Sequence, residues 1–371
     1  MLEDLIIKLF KNITKRINDP SSGLLEFLTR RNPFYGRHGF IVSVTTRCNF
    51  NCPHCLRGEI DKNKSIVKDL PLFVFEEALK GGRKLNFHFV SFTGGEPILH
   101  PQFEELVSLA VKYGYKFNLA TNGWFYKEYW ELIKNHRERI ETIFLSLDGA
   151  TAKIHDAVRD KPGSFNKVIE AVEFYKSRDL APIVTFCVTR KNFHQIEEFV
   201  DFCATAGINK IKWATVNPVY GESGIIMNNK DTLTDDERAD VLQRIFSVKE
   251  KFGSNFMFLI TRSFFPIDDK TKGNKRVYLW CPVLNCNALY LDHDGGMFFC
   301  CDINRECQNK PLIQHLGFEK SFMITLDVAN KMKKRMLKEA LDYKKITQFC
   351  DFCNKNIKEC INLAAEESNN Q

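Results

Sequence analysis

Three cysteines, Cys48, Cys52 and Cys55, stand within eight residues of one another in a chain that holds 13. Three thiolates in one short turn are soft ligands, suited to zinc or to an iron–sulfur cluster. A structural zinc site takes four ligands, and this loop supplies three unless His54 joins them. Ligation by adjacent His54 and Cys55 would be awkward. Three cysteines on a four-iron cube leave one iron open, and an open metal position marks a catalytic site rather than a structural one. Free thiols kept only for packing are not expected to cluster in this way. Eight more cysteines crowd the last quarter of the chain: Cys281, Cys286, Cys300, Cys301, Cys307, Cys350, Cys353 and Cys360. Cys187 and Cys203 stand alone and read as core residues.

A second unusual segment is Gly94-Gly95-Glu96-Pro97. Paired glycines let a ligand approach the backbone closely, and exposed carbonyls there would accept from a ligand ammonium. The same four residues also suit a tight strand-to-helix turn with Pro at the first helical position.

These segments fall in a regular frame. Strands are expected at 39–46, 86–92, 116–121, 142–147, 182–189 and 210–216, from their β-branched and aromatic content. Helices are expected at 72–84, 101–113, 126–137, 164–176, 195–205 and 234–251, the last with Thr234 as a cap ahead of Glu237. Six βα units in series imply a parallel sheet with helices outside it, and either an open sheet or a barrel satisfies that. In such folds chemistry gathers at the carboxyl ends of the strands. The cysteine loop follows strand 1, GGEP follows strand 2, and Thr121-Asn122-Gly123 ends strand 3. Ser146-Leu147-Asp148-Gly149 ends strand 4, and Asn217-Pro218 strand 6. The alternation fades after residue 252, where NFMFLI suggests one further strand. The domains are therefore drawn as 1–38, an N-terminal helical extension; 39–265, a core barrel; and 266–371, a cysteine-rich C-terminal domain.

Composition narrows the partners. A net charge of +7, from 53 basic and 46 acidic side chains, is mild and carries no long Lys/Arg run, so nucleic acid is not expected. No stretch approaches the roughly 18 apolar residues of a membrane span. The first residues do not resemble a secretory signal, which points to a reducing, cytoplasmic setting without disulfides. Residues 2–17 have the spacing of a basic amphipathic helix. Packing on its own domain is favoured for it over lying on a membrane surface.

The C-x3-C-x2-C spacing, GGEP about 40 residues later and the (β/α)6 pattern together resemble the radical S-adenosylmethionine superfamily over residues 39–260. The resemblance implies an α/β fold, a partial (β/α)6 TIM-like barrel. It implies that Cys48, Cys52 and Cys55 hold a [4Fe-4S] cluster whose open iron binds S-adenosylmethionine. Reductive cleavage of that cofactor would give a 5′-deoxyadenosyl radical that takes a hydrogen atom from the substrate. By the same resemblance Gly94 and Gly95 accept from the methionine ammonium and Glu96 braces their turn. His54 takes the place of an aromatic residue near the adenine. Ser146 and Arg159 contact the methionine carboxylate or ribose, Asn122 lies beside that pocket, and Ala214 lines the adenine. The C-terminal cysteines resemble the auxiliary-cluster domain called SPASM, or its shorter form, twitch. One auxiliary [4Fe-4S] cluster on Cys281, Cys300, Cys350 and Cys353 is expected, with Cys286 or Cys360 as substitutes and zinc on the same thiolates as the rival reading.

The expected activity is a peptide or protein maturase that uses a flavodoxin or ferredoxin as electron donor. The alternatives are a dehydrogenase or epimerase of a sugar or alcohol, a lipid-modifying enzyme at the membrane surface, and a non-catalytic iron–sulfur protein. Asp302, Tyr220, Glu222 and Arg262 are candidate proton-transfer residues by location alone.

Overall fold

The computed structural model describes residues 39–55, 67–216, 230–261, 288–300, 310–340, 360 and 361. The strand–helix alternation expected from the sequence is observed. Strands β1 (Gly39–Ser43), β2 (Phe89–Thr93), β3 (Lys116–Thr121), β4 (Ile140–Ser146), β5 (Ile183–Val188) and β6 (Lys210–Thr215) are joined by crossovers, and β7 (Met257–Ile260) follows. The crossover helices are α1 (Leu72–Lys84), α2 (Phe103–Lys112), α3 (Tyr126–Asn135), α4 (Ala152–Arg159), α5 (Ser164–Lys176), α6 (Ile196–Thr205) and α7 (Asp235–Phe252).

Strand order decides between open sheet and barrel. Strands β7 to β1 lie in strict sequential order, and every neighbouring pair among them is parallel. A doubly wound sheet reverses direction at a switch point; from β1 to β7 this one does not. Right-handed crossovers in one direction put every helix on one face, which is the winding of a TIM-like barrel. β8 (Ala288–Leu291) lies within the segment read as the C-terminal domain. It pairs in parallel with the free edge of β1 and carries antiparallel β9 (Met297–Phe298).

The helix side of the sheet is an aromatic core. Phe92 packs against Phe75 of α1, Phe103 of α2 and Phe117 of β3 at ring-centroid distances of 5.5–5.9 Å. Farther along, Phe186 and Trp213 close on Phe199 of α6 at 4.4 and 5.8 Å. Truncating such a buried aromatic to alanine typically costs about 3–5 kcal/mol. α7 begins as expected: the Thr234 side chain accepts from the Glu237 N–H, and the Glu237 carboxylate accepts from the Thr234 N–H.

Two helices were not foreseen. α4 is one. The other is α8 (Ile313–Ala340), kinked at Gly317. α8 docks on α1, where the bare Gly81 leaves room for the Phe318 ring. The docking is fixed by the Phe318 N–H on the Glu77 carboxylate at 3.0 Å and by a Lys84–Glu319 ion pair.

The N-terminal helix, residues 217–229, and Arg262 and Asp302 lie outside the described residues. So do Cys281, Cys286, Cys301, Cys307, Cys350 and Cys353.

Candidate functional site

The loop after β1 is sewn to the turn after β2. The Gly95 N–H donates to the Thr45 carbonyl and the Glu96 N–H to the Arg47 carbonyl, both at 2.7 Å. A Cβ on Gly95 would stand 2.0 Å from the Arg47 oxygen, and one on Gly94, at φ 145°, would stand 2.7 Å from the Thr45 oxygen. The two glycines are therefore required for strand-end loops to touch, a reason separate from any ligand. Pro97 does open a short 3-10 turn at its first position, so the turn reading of GGEP also holds. Arg47 is anchored in turn by Asp69, which takes its Nε and Nη2 at 3.1 and 2.9 Å.

Glu96 is fully buried and accepts three hydrogen bonds. The donors are Thr121 Oγ1 at 2.6 Å, the Asn122 N–H at 2.9 Å and the Tyr129 hydroxyl at 2.5 Å. Burial pushes its carboxyl up, and these donors oppose the shift without cancelling it. Tyr129 also accepts from the Ile98 N–H at 2.9 Å, so one phenol holds both the Glu96 side chain and the backbone just after the GGEP turn. Nothing in the sequence marked Tyr129, which sits on α3 with an ordinary amphipathic spacing.

The cysteine loop rests on this turn. The Cys55 N–H donates to the Cys52 carbonyl at 3.1 Å, and the Phe50 N–H reaches Cys48 Sγ at 3.4 Å. Asn122 donates through Nδ2 to Asn49 Oδ1 at 2.8 Å, tying the loop to the end of β3. On the outer side Phe50 meets Trp124 edge-on at 5.8 Å, with Lys161 over the Trp124 ring at 4.8 Å.

Beside the loop is a buried ionic network. Arg159 Nε stands 2.5 Å from Asp148 Oδ2, and Arg159 Nη1 stands 3.9 Å from Cys52 Sγ. Burial alone would push the Asp148 carboxyl up; Arg159, the two histidines and the Cys187 N–H outweigh it and hold it below its ordinary value. Burial would lower Arg159 too, yet Asp148 and Cys52 raise it well above its ordinary value. Burial raises the Cys52 thiol, against the pull of Arg159. His54 Nδ1 contacts the Val158 carbonyl at 3.2 Å, while its Nε2 is 4.0 Å from Asp148. Burial and then Arg159 lower His54 to about 4, so the ring is neutral at pH 7 and donates from Nδ1. His155 accepts the Asp148 N–H on Nδ1 at 2.9 Å, and burial lowers it likewise to about 4.

Thus Cys52, His54 and Arg159 meet around Asp148, and Gly94, Gly95, Glu96 and Asn122 meet behind the loop. Asp148 and His155 were not foreseen as site residues. Asp148 stood in the Ser-Leu-Asp-Gly strand end, and His155 on the unforeseen α4. Thr151, whose side chain accepts from the Ile154 N–H, was the available N-cap signal for that helix. Ser146 and Ala214 are placed by strand register: Ser146 pairs with Thr185, and Ala214 with Cys187. Cys203 is fully buried on α6. Cys187 differs, being half-buried on the strand face away from α6, with its N–H on Asp148 Oδ1 at 2.7 Å. Of the expected auxiliary ligands, Cys300 is described, half-buried beyond β9.

The donor set fits an iron–sulfur cluster. Three thiols sit on one loop with a backbone N–H on one sulfur and a guanidinium beside another. Such contacts to sulfur tune a cluster. Asn49 Nδ2 is buried at the same loop without a partner, a donor that a bound group would satisfy. Among the described residues no three Cys, His, Asp or Glu side chains converge on one metal ion, whereas a cluster takes each thiolate on a different iron.

Residues 42–203 match the Radical SAM superfamily. A probable GTP 3′,8-cyclase of Sulfolobus acidocaldarius is 30% identical over 191 residues, which are 50% of this chain and 58% of that protein. The mycofactocin maturase MftC of Mycobacterium tuberculosis is 26% identical over 193 residues, 47% of each chain. The match thus spans about half the length of these curated relatives. Among solved structures, native anSMEcpe with bound AdoMet and Cp18Cys peptide superposes with a TM-score of 0.58 at 19% identity. It covers 89% of this chain and 99% of that one, and shares the fold. No helix among the described residues is long and apolar enough to cross a membrane.

Proposed function

We propose, from the premise that this chain carries a radical SAM domain at residues 42–203, that it is a maturase acting on a peptide or protein. The observation that carries the reading is the cysteine loop, clamped to the Gly-Gly turn by two 2.7 Å hydrogen bonds and flanked by Arg159. Cys48, Cys52 and Cys55 would hold a [4Fe-4S] cluster. Bound there, the cluster would supply the one-electron chemistry by which S-adenosylmethionine is reductively cleaved and a hydrogen atom is taken from the substrate.

The chain's own residues prepare the site. Gly94 and Gly95 bring a backbone edge against the loop, and their carbonyls would accept the methionine ammonium. Glu96 fixes that edge from behind. Arg159 puts a buried positive charge next to Cys52 and would favour its thiolate. His54, neutral and held through Nδ1, would present its ring to the adenine, with Ala214 on the other wall. Ser146 and Arg159 would take the carboxylate or ribose, and Asn122 the rim of the pocket. An auxiliary [4Fe-4S] cluster on Cys281, Cys300, Cys350 and Cys353 would accept an electron or bind substrate.

The peptide substrate is supported by the maturase MftC among the relatives and by the peptide bound in the anSMEcpe structure. The proposal includes a flavodoxin or ferredoxin as electron donor and a cytoplasmic setting. The GTP cyclase relative favours a second reading, a small-molecule substrate.

Anaerobic reconstitution tests the cluster count: about eight irons per chain are expected, twice the four of a single [4Fe-4S] cluster. Four would remove the auxiliary site. S-adenosylmethionine cleavage with dithionite should disappear in Cys52→Ala. Release of 5′-deoxyadenosine by that variant would refute the assignment.

A further inference from the structure

The inner face of the sheet carries a feature that none of these roles uses. On β5 and β6, Phe186 and Trp213 face the helices. Their alternates Thr185, Cys187, Lys212 and Ala214 therefore share the opposite face, and all four are half-buried. Strand register continues that face across β4, where Ser146 pairs with Thr185, which in turn pairs with Lys212. Lys212 thus belongs to the same layer as Ser146, one step from Ala214. Its ammonium reaches back over β5 to lie 5.0 Å from the centre of the Phe144 ring on β4.

A half-buried lysine at the middle of an inner strand face is better satisfied with an anion beside it. The Phe144 ring compensates only in part, because a ring quadrupole is a weak substitute for a counter-charge. Among the described residues no carboxylate lies within ion-pair distance of Lys212. A second group on this face is also incomplete. Asn118 of β3 is 2% exposed, and its Oδ1 is buried with no hydrogen-bond partner. Its neighbours Phe117 and Leu119 take the helix side, so Asn118 faces inward, paired with Thr142, two residues from Phe144 along β4. Buried polar groups are ordinarily satisfied, so an unpartnered amide oxygen and a lysine ammonium without a carboxylate, both on the inner face and both near Phe144, mark a place for a ligand with both an anion and a donor.

We infer that Lys212 is a specificity residue of the inner sheet face: it binds a carboxylate carried by the substrate, with Asn118 taking an N–H from the same molecule. The inference rests on the peptide reading for the identity of that molecule. A glutamyl or aspartyl residue of a peptide offers both groups, a carboxylate for Lys212 and an amide N–H for Asn118.

The test uses the reconstituted full-length chain with S-adenosylmethionine and three probes: N-acetylglutamate N-methylamide, its glutamine counterpart, and succinate. Binding is read by ligand-observed NMR titration, with thermal unfolding as the control for folding. The glutamate probe should bind at least tenfold more tightly than the glutamine probe. Lys212→Met should remove that preference, and Lys212→Arg should keep it within about threefold, an ion pair being retained. Asn118→Leu should weaken both amide probes but not succinate. Equal binding of the glutamate and glutamine probes, or an unchanged preference in a folded Lys212→Met, would overturn the inference. Lys212-dependent binding of succinate with none of the glutamate probe would uphold the anion site and reject the peptide as its source. Loss of S-adenosylmethionine cleavage in the wild-type preparation, by contrast, would strike the radical reading and not this site.

Discussion

Arg159 and Asp148 form an ion pair 2.5 Å apart, with side chains 13% and 0% exposed, at the carboxyl end of β4 beside the cysteine loop. Neither atom of this contact has a well-angled hydrogen bond, so charge rather than direction holds it. Removing one partner leaves the other buried and uncompensated. Asp148→Ala should cost about 3–5 kcal/mol in urea unfolding. The double variant Asp148→Leu/Arg159→Met should recover most of that, since an apolar replacement of a buried pair is close to neutral. A loss below about 1 kcal/mol would show that water reaches the pair.

His155 sets an acid limit on stability. Its folded value of about 4 lies below the ordinary 6.5, through burial first and then Arg159, against the pull of Asp148 and Asp156. His54 also faces it. The unfolded chain therefore takes up a proton between these values that the folded chain refuses. The stabilising effect of keeping the ring neutral is complete above pH 6.5 and is lost as pH falls toward 4. His155→Gln should flatten this limb by up to about 1.4 kcal/mol per pH unit, measured by urea midpoints at pH 7, 6 and 5. Parallel curves for variant and wild type would rule the histidine out.

Tyr129→Phe removes a donor from Glu96 and an acceptor from the Ile98 N–H. The cost should be about 1–3 kcal/mol. With one donor fewer, the Glu96 carboxyl, already raised by burial, should rise further. A raised carboxyl gives stability that is complete below its unfolded value and is lost as pH rises. The penalty of Tyr129→Phe should therefore be larger at pH 8 than at pH 5, and an equal penalty would mean that Glu96 does not sense the phenol.

Gly95→Ala places a methyl 2.0 Å from a backbone oxygen, which cannot swing aside as a side-chain tip can. The two loops must separate. Overpacking costs about 1–3 kcal/mol, and this case should reach the top of that range. Iron retained per chain after reconstitution should also fall, because the cysteine loop loses its backing. Full iron content in this variant would show that the loop does not depend on the turn.

The amino-acid sequence alone determined the cysteine triad, the GGEP turn and nearly every βα unit, because period, turn residues and caps are local. Thr234 and Glu237 are an example: both halves of the capping box lie in one helical turn and are visible without a fold. The tertiary structure decided what depends on strand order. Sequential winding chose the barrel over the open sheet, and it placed β8 against β1, 249 residues away between Gly39 and Ala288. Tyr129 meets Glu96 across 33 residues, and Arg159 meets Cys52 across 107. Such contacts leave no periodic trace in the chain, since they follow from crossovers that return separate strand ends to one place. The same holds for Lys212: its face was set by the packing of Trp213 on α6, and only that packing turned an ordinary strand lysine toward the interior.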